Sequence, residues 1–257
     1  MCGKCHTRKQ VWKDLPRPDG NGTFRRLVPV LCKCGEDKAE QEKASTKSES
    51  FKSWVTEMKD QYGISDMTYQ KFTFVDDDRR TAKISNVCRR YVEKWDEMKK
   101  DNMGILFYGS VGTGKSFYAC AIVNALIEKR VPATVTNFPR LLNILQNANE
   151  RQKYIDHLQA YHLLVIDDLG VERDTPYAAE IVYSVIDARA RSGLPLIVTT
   201  NLSMDELKNP TSMQFARIYD RVLDLCPITL KMTGDSRRAG NAEIRKQRAK
   251  ELLKGEE

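Results

Sequence analysis

No stretch of this 257-residue chain stays apolar for more than a handful of residues, far short of the roughly 20 that a membrane-spanning helix needs. Nor does a hydrophobic region follow the opening Met1-Cys2-Gly3-Lys4, so no secretory leader and no membrane partner are expected, and the chain reads as cytoplasmic. A surplus of either charge is missing from the middle of the chain: residues 102–227 hold 12 Lys and Arg against 13 Asp and Glu. The surplus behind the net charge of +7 sits at the ends, 11 basic against 7 acidic residues in 1–50 and 8 against 5 in 228–257. Basic margins of this kind suit a polyanion such as nucleic acid, and equally suit simple solubility. Apolar positions are scarce across residues 36–60, which read as an exposed helical linker. What the chain does have is seven cysteines, which in a cytosolic protein argue for metal ligation or free thiols over disulfides.

The most informative stretch is Gly109-Ser110-Val111-Gly112-Thr113-Gly114-Lys115-Ser116, which fits G-x-x-x-x-G-K-[ST]. Ile105-Leu106-Phe107-Tyr108 precede it, and an apolar run from Phe117 to Leu126 follows. Strand, glycine loop and helix in that order predict a phosphate site. The glycines let successive N–H groups turn inward, and the helix adds its N-terminal N–H groups and dipole. Lys115 is expected to reach the β- and γ-phosphates, and the Ser116 hydroxyl to sit on Mg²⁺. A second element supports this: His162-Leu163-Leu164-Val165-Ile166-Asp167-Asp168 reads as a strand ending in two acids. Asp167 is expected to hold Mg²⁺ and Asp168 to polarise the attacking water.

Near the N-terminus, Cys2-x-x-Cys5 and Cys32-x-Cys34 lie on turn-rich chain with Pro16, Pro18, Asp19-Gly20 and Asn21-Gly22. Each pair supplies one edge of a tetrahedron, so Zn²⁺ on Cys2, Cys5, Cys32 and Cys34 is expected, with His6 as the alternative fourth ligand. Thr23 to Leu31 read as the second arm of a hairpin that brings the later pair into place. A closed four-ligand site of this kind stabilises a module with little core of its own.

Further along, Phe72 to Asp78 read as an extended stretch running into an acidic turn. Ile84, Val87, Cys88, Tyr91, Val92, Trp95 and Met98 recur at helical spacing, which predicts one amphipathic helix over 80–100. Strands are expected at 134–138 and 194–201, with a helix opening at Leu141 and another started by Thr175-Pro176. This alternation predicts an α/β fold, a mainly parallel sheet flanked by helices, with ligand at the C-terminal edge of the strands. Asn201 ends the last of these strands, near the expected γ-phosphate, and is alternatively a turn former. Arg217 and Arg221 share one helix face, where surface pairing with Asp220 or Asp224 is the other possibility. Arg237-Arg238 follow a short strand at 228–230.

Taken in order, the glycine loop, Ile166-Asp167-Asp168, Thr199-Thr200-Asn201, Arg217-x-x-x-Arg221 and Asp235-Ser236-Arg237-Arg238 resemble the AAA+ ATPases of the DnaC/DnaI replicative helicase-loader group, to which the IstB transposition helper is similar. The likeness runs from about Phe72 to Arg238. It implies a zinc-binding module over 1–45, a linker over 46–70, an AAA+ domain over 71–238 and a basic helix or tail over 239–257. It further implies ATP as nucleotide, bound along Gly109 to Phe117, with Asn201 as sensor 1 and Arg238 as sensor 2. Arg221, or else Arg217, would be a finger reaching a neighbouring subunit's nucleotide, and so the chain would be a homo-oligomer. The implied role is to bind the replicative helicase and load it onto single-stranded DNA, with Arg151, Lys153 and the basic tail as candidate DNA contacts. Two other roles stay open: a transposition helper acting on duplex DNA, and an ATP-binding assembly protein with little turnover. Asp168 stands where several loaders have Glu, and Arg237 where the motif often has an aromatic residue.

Overall fold

Among the described residues of this computed structural model, five of the seven strands form one parallel sheet, and the other two form a hairpin. The structure describes residues 1–17, 22–38, 40, 67–146, 148–170, 176–210 and 212–253. The chain divides into two compact units, Met1–Thr56 and Glu57–Glu257, and the expected linker lies largely outside the described residues.

In the first unit, β1 (Gln10–Pro16) and β2 (Thr23–Pro29) pair antiparallel, with Gln10 opposite Pro29 and Pro16 opposite Thr23. The hairpin expected around Asn21-Gly22 is therefore present, and Val30 N–H closes its open end on Lys9 O at 2.8 Å. Among the described residues of this unit, Cys2 alone is buried.

The second unit is built on β3 (Ile105–Gly109), β4 (Ala133–Asn137), β5 (Leu163–Leu169), β6 (Leu196–Thr200) and β7 (Ile228–Met232), in spatial order β4-β5-β6-β3-β7. Ile105 to Phe107, Leu163 to Ile166 and Leu196 to Val198 have no exposure, as expected of a parallel sheet covered on both faces. Beside two short helices, Met67–Gln70 and Met204–Lys208, the helices described are α1 (Ala82–Glu93), α2 (Trp95–Lys100), α3 (Lys115–Glu128), α4 (Phe138–Leu145), α5 (Ala148–Gln159), α6 (Pro176–Ser192), α7 (Met213–Leu225) and α8 (Arg237–Leu253). The α3 helix is apolar nearly all round, from Tyr118 to Ile127, because it lies between the sheet and a layer formed by α1 and the segment before it. Among the described residues, no helix is long and apolar enough to cross a membrane.

Local details differ from expectation for identifiable reasons. The helix expected over 80–100 bends at Lys94, whose φ of −96° and ψ of 24° end α1. The apolar stripe runs on through Trp95, whose ring lies 6.0 Å from that of Tyr91, so periodicity alone does not register the bend. Phe74–Asp76 form a short 3-10 turn where extended chain was expected, because Thr73 Oγ1 accepts from Val75 N–H and donates to Asp76. Helix α4 begins at Phe138 and not at Leu141, since Asn137 Oδ1 caps it by accepting from Arg140 N–H at 2.9 Å.

At the edge of the sheet remote from the glycine loop, the fully buried Arg189 fastens α6 to the entrances of β5 and β6. Its guanidinium donates to Tyr161 O and His162 O, both at 2.9 Å, and to Pro195 O at 2.7 Å.

Candidate nucleotide site and cysteine cluster

Residues 110–114 turn the chain from β3, which lies between β6 and β7, into α3, and the turn depends on glycine. Gly109, Gly112 and Gly114 have φ of 127°, 81° and 101°, values that L side chains rarely adopt. A Cβ on Gly112 would lie 2.1 Å from Ser236 Oγ, and one on Gly109 would lie 2.2 Å from Met232 O. The loop is thus pressed against the end of β7. Thr113 Oγ1 donates to Ser110 O at 2.8 Å, Val111 stands exposed at the tip, and Ser116 and Phe117 open α3. Lys115 is 5% exposed, and its ammonium donates to Gly109 O and Ser110 O, both at 2.8 Å. An ammonium held on the carbonyls of its own loop stands at the loop's mouth, where a phosphate would compete for it.

Asp167 ends the regular part of β5 and is 2% exposed. Its Oδ1 accepts from Thr199 Oγ1 at 2.6 Å and its Oδ2 from Tyr69 Oη at 2.7 Å. Burial, and then the charge of Asp167, push the Tyr69 phenol well above its usual range, so it stays a donor. Among the described residues Asp167 forms no salt bridge. A buried carboxylate met by neutral donors and no cation fits a divalent cation, so the residues suit Mg²⁺ held through Ser116 and Asp167. Asp168 follows at φ 59°, a conformation short polar residues tolerate. Its N–H donates to Thr199 Oγ1 at 3.0 Å, and the β5–β6 register shifts there. One hydroxyl therefore holds the Asp167 carboxylate and the backbone of Asp168. Asn201 follows β6 and is exposed.

Arg237 also comes to the loop, although the motif reading gave the sensor role to Arg238. Its N–H donates to Gly112 O at 2.9 Å. The guanidinium pairs with Asp78 Oδ1 at 3.1 Å, donates to Thr81 Oγ1 at 3.2 Å and lies 5.6 Å from the Tyr118 ring centroid. The side chain of Arg238 lies outside the described residues. Arg217 and Arg221 are exposed on α7, away from these contacts. Arg221 pairs with Asp187 of α6 at 3.7 Å rather than with Asp220 or Asp224, and Arg217 lines a groove with Tyr177, Glu180 and Met213. Arg151 is engaged in packing: it reaches Leu145 O at 3.3 Å, Tyr177 Oη at 3.2 Å and Glu180 at 3.6 Å. Lys153 is exposed.

Sequence reasoning missed Tyr69, Asp78 and Thr199. Thr199 stands within the quoted Thr-Thr-Asn, where the third residue took the attention. Tyr69 has no motif around it.

In the first unit, the sulfurs of Cys2, Cys5, Cys32 and Cys34 all lie within 4.8 Å of one another. The Cys2–Cys34 and Cys32–Cys34 separations are 3.7 and 3.3 Å, near the roughly 3.8 Å that tetrahedral Zn–S bonds of about 2.3 Å require. The backbone N–H of Cys34, then Thr7, pull the Cys5 thiol down to about 5, while the Cys32 side chain pushes Cys34 up to about 12. Four thiols this close cannot all ionise without a cation between them, so the set fits zinc. His6 is exposed and stands outside the cluster.

A glycine loop between an interior strand of a five-stranded parallel sheet and a buried helix, with a buried acid on a nearby strand, defines an ATP-binding P-loop domain of the AAA+ type. Residues 39–244 match the family described as IstB-like ATP binding protein, and the chain belongs to that family. It is 28% identical over 196 residues to the replicative helicase loader DnaI of Bacillus subtilis (strain 168), covering 70% of this chain and 62% of that protein. With the replicative helicase loader DnaC of Escherichia coli (strain K12) it shares 27% over 140 residues, 52% of this chain and 55% of the other. The chain thus spans less than two thirds of either relative. The crystal structure of the DnaI superposes with a TM-score of 0.56 at 24% identity, covering 66% of this chain and 92% of that one, a likeness of fold.

Proposed function

We propose that this protein binds the replicative helicase and loads it onto single-stranded DNA, with ATP binding and hydrolysis as the switch. Two observations carry the ATP half: a buried ammonium, Lys115, on its own loop's carbonyls, and a buried carboxylate, Asp167, that forms no salt bridge among the described residues. The helicase half rests on the named function of DnaI and DnaC.

In this reading the loop N–H groups and Lys115 hold the β- and γ-phosphates. Ser116 and Asp167 would hold Mg²⁺, which when bound would supply positive charge against the phosphate oxygens. Asp168 accepts a hydrogen bond from the attacking water, and Asn201 orients that water or the γ-phosphate. The shorter reach of Asp168 relative to Glu, and its left-handed backbone, point to slow turnover. ATP then acts chiefly by favouring one assembled state. Arg221 leaves Asp187 to reach a neighbouring subunit's nucleotide, which makes assembly a condition of hydrolysis, and Arg238 senses the bound nucleotide. Zinc on the four cysteines holds the first unit in shape for the helicase.

Co-purification of the source's replicative helicase with this protein, with and without ATP, tests the proposal. ATP-dependent retention is expected, together with a phosphate-release rate that responds to single-stranded DNA. The family match favours a second reading, a transposition helper. Retention on duplex DNA with no helicase interaction would move the assignment there.

A further inference from the structure

We infer that Tyr69 is a positioning residue for the Asp167 carboxylate, fixing it for the metal ion that accompanies the nucleotide. The inference rests on the ATP–Mg²⁺ reading of the site given above. Asp167 is gripped at both oxygens, by Thr199 Oγ1 at 2.6 Å and by Tyr69 Oη at 2.7 Å. A carboxylate offers about four lone-pair sites, so two donors leave one site on each oxygen and settle which way those sites face. Mg²⁺ tolerates little departure from octahedral geometry, so the orientation of this one acid bears directly on affinity.

Tyr69 is itself held by the helix that carries the phosphate loop. Asn124 on α3 donates from one Nδ2 to Tyr69 O and to Phe72 O, both at 2.9 Å. Phe72 lies 6.2 Å from the Tyr69 ring and 5.5 Å from that of Phe117, next to Ser116. The phenol therefore joins the two halves of the site: its backbone is fixed by α3, which supplies Ser116, and its hydroxyl by β5, which supplies Asp167. Thr199 reaches the acid from the neighbouring strand, whereas Tyr69 reaches it from a segment 98 residues away in sequence.

Groups that orient a ligand from behind typically contribute about 10–100-fold to metal affinity. Tyr69→Phe keeps the ring against Phe72 and removes the donor. The experiment measures binding of a fluorescent ATP analogue to the full chain across a Mg²⁺ titration and, separately, in EDTA, for wild type, Tyr69→Phe and Asp167→Asn. In Tyr69→Phe the Mg²⁺ concentration for half-maximal effect rises about tenfold, affinity in EDTA stays within about twofold, and saturating Mg²⁺ restores wild-type binding. A purely structural tyrosine would instead lower the melting temperature and leave the Mg²⁺ curve in place, and that result overturns the inference. If Asp167→Asn shifts the curve and Tyr69→Phe does not, the ATP–Mg²⁺ site stands and Tyr69 has no part in it. If neither variant shifts it, Asp167 is not the metal's carboxylate and both readings fall together.

Discussion

The two units of this chain solve the problem of staying folded by opposite means. In the first, Trp12 is 61% exposed, Leu31 60% and Leu27 40%, and among its described residues only Cys2 is buried. Two seven-residue strands without a fully buried side chain are marginal alone, so a metal on the four converging thiols, as proposed, would supply what a core does not. The second unit has strands that are largely unexposed, a helix apolar nearly all round and a buried arginine tying its elements together. Its stability is spread over many contacts, which leaves the glycine loop and Asp167 free to be shaped for a ligand. In the proposed reading, chemistry that is structural in one unit is functional in the other: a cation would shape the hairpin unit, and a cation would be recruited by the already folded sheet.

Removing the metal breaks this contrast most severely. Chelation, or Cys32→Ser, is expected to unfold the hairpin unit, since a structural zinc contributes on the order of 10 kcal/mol or more. The melting of the sheet unit should stay unchanged; metal analysis with two-dimensional amide spectra reads both. Hairpin resonances that persist in zinc-free protein would remove the contrast. Next in size, if Arg221 is the finger proposed above, Arg221→Ala is expected to lower phosphate release by roughly 10³-fold or more, while ATP affinity and stability hold. Unchanged turnover would move the finger to Arg217 or remove it. Arg189→Leu acts on architecture alone. It leaves the carbonyls of Tyr161, His162 and Pro195 short of donors, at a cost of about 3 kcal/mol, seen in denaturant unfolding of the second unit with the hairpin spectrum unaltered.

The smallest effect is one of pH. Burial, then the charges of Lys99 and Arg189, hold His162 below its usual 6.5. The unfolded chain then binds the proton more readily than the folded one, so the contribution is complete above about pH 6.5 and is lost as the pH falls below it. Denaturant midpoints for wild type and His162→Gln should separate at neutral pH and converge in mild acid. Parallel curves would exclude His162 as the cause.

What the sequence made legible were features complete within a few residues. The glycine loop needs eight consecutive positions, and each thiol pair needs three or four. Both stand where the spacing placed them. The acids of β5 were equally plain, because four apolar residues before an acid need no tertiary knowledge. What stayed hidden depends on chain segments far apart. Tyr69 falls in the stretch read as the tail of a linker and becomes meaningful only because α3 holds its carbonyl. Thr199 differs from any strand threonine only in facing Asp167. Arg237 stood out as a departure from the motif, yet its contact with Asp78 required α8 to start directly beside the loop. The bend at Lys94 and the 3-10 turn at Phe74 are single-residue backbone choices beneath a periodicity that they do not disturb.

The claim that a triphosphate and its metal lie between Lys115 and Asp167 is tested most directly by calorimetric titration of ATP into wild type, Lys115→Ala and Asp167→Asn, each with and without Mg²⁺. Wild type should bind in both conditions and more tightly with the metal. Lys115→Ala should lose at least about 3 kcal/mol of binding in both, and Asp167→Asn should lose only the gain that Mg²⁺ brings. Ordinary ATP affinity in Lys115→Ala, or a full Mg²⁺ response in Asp167→Asn, would contradict it.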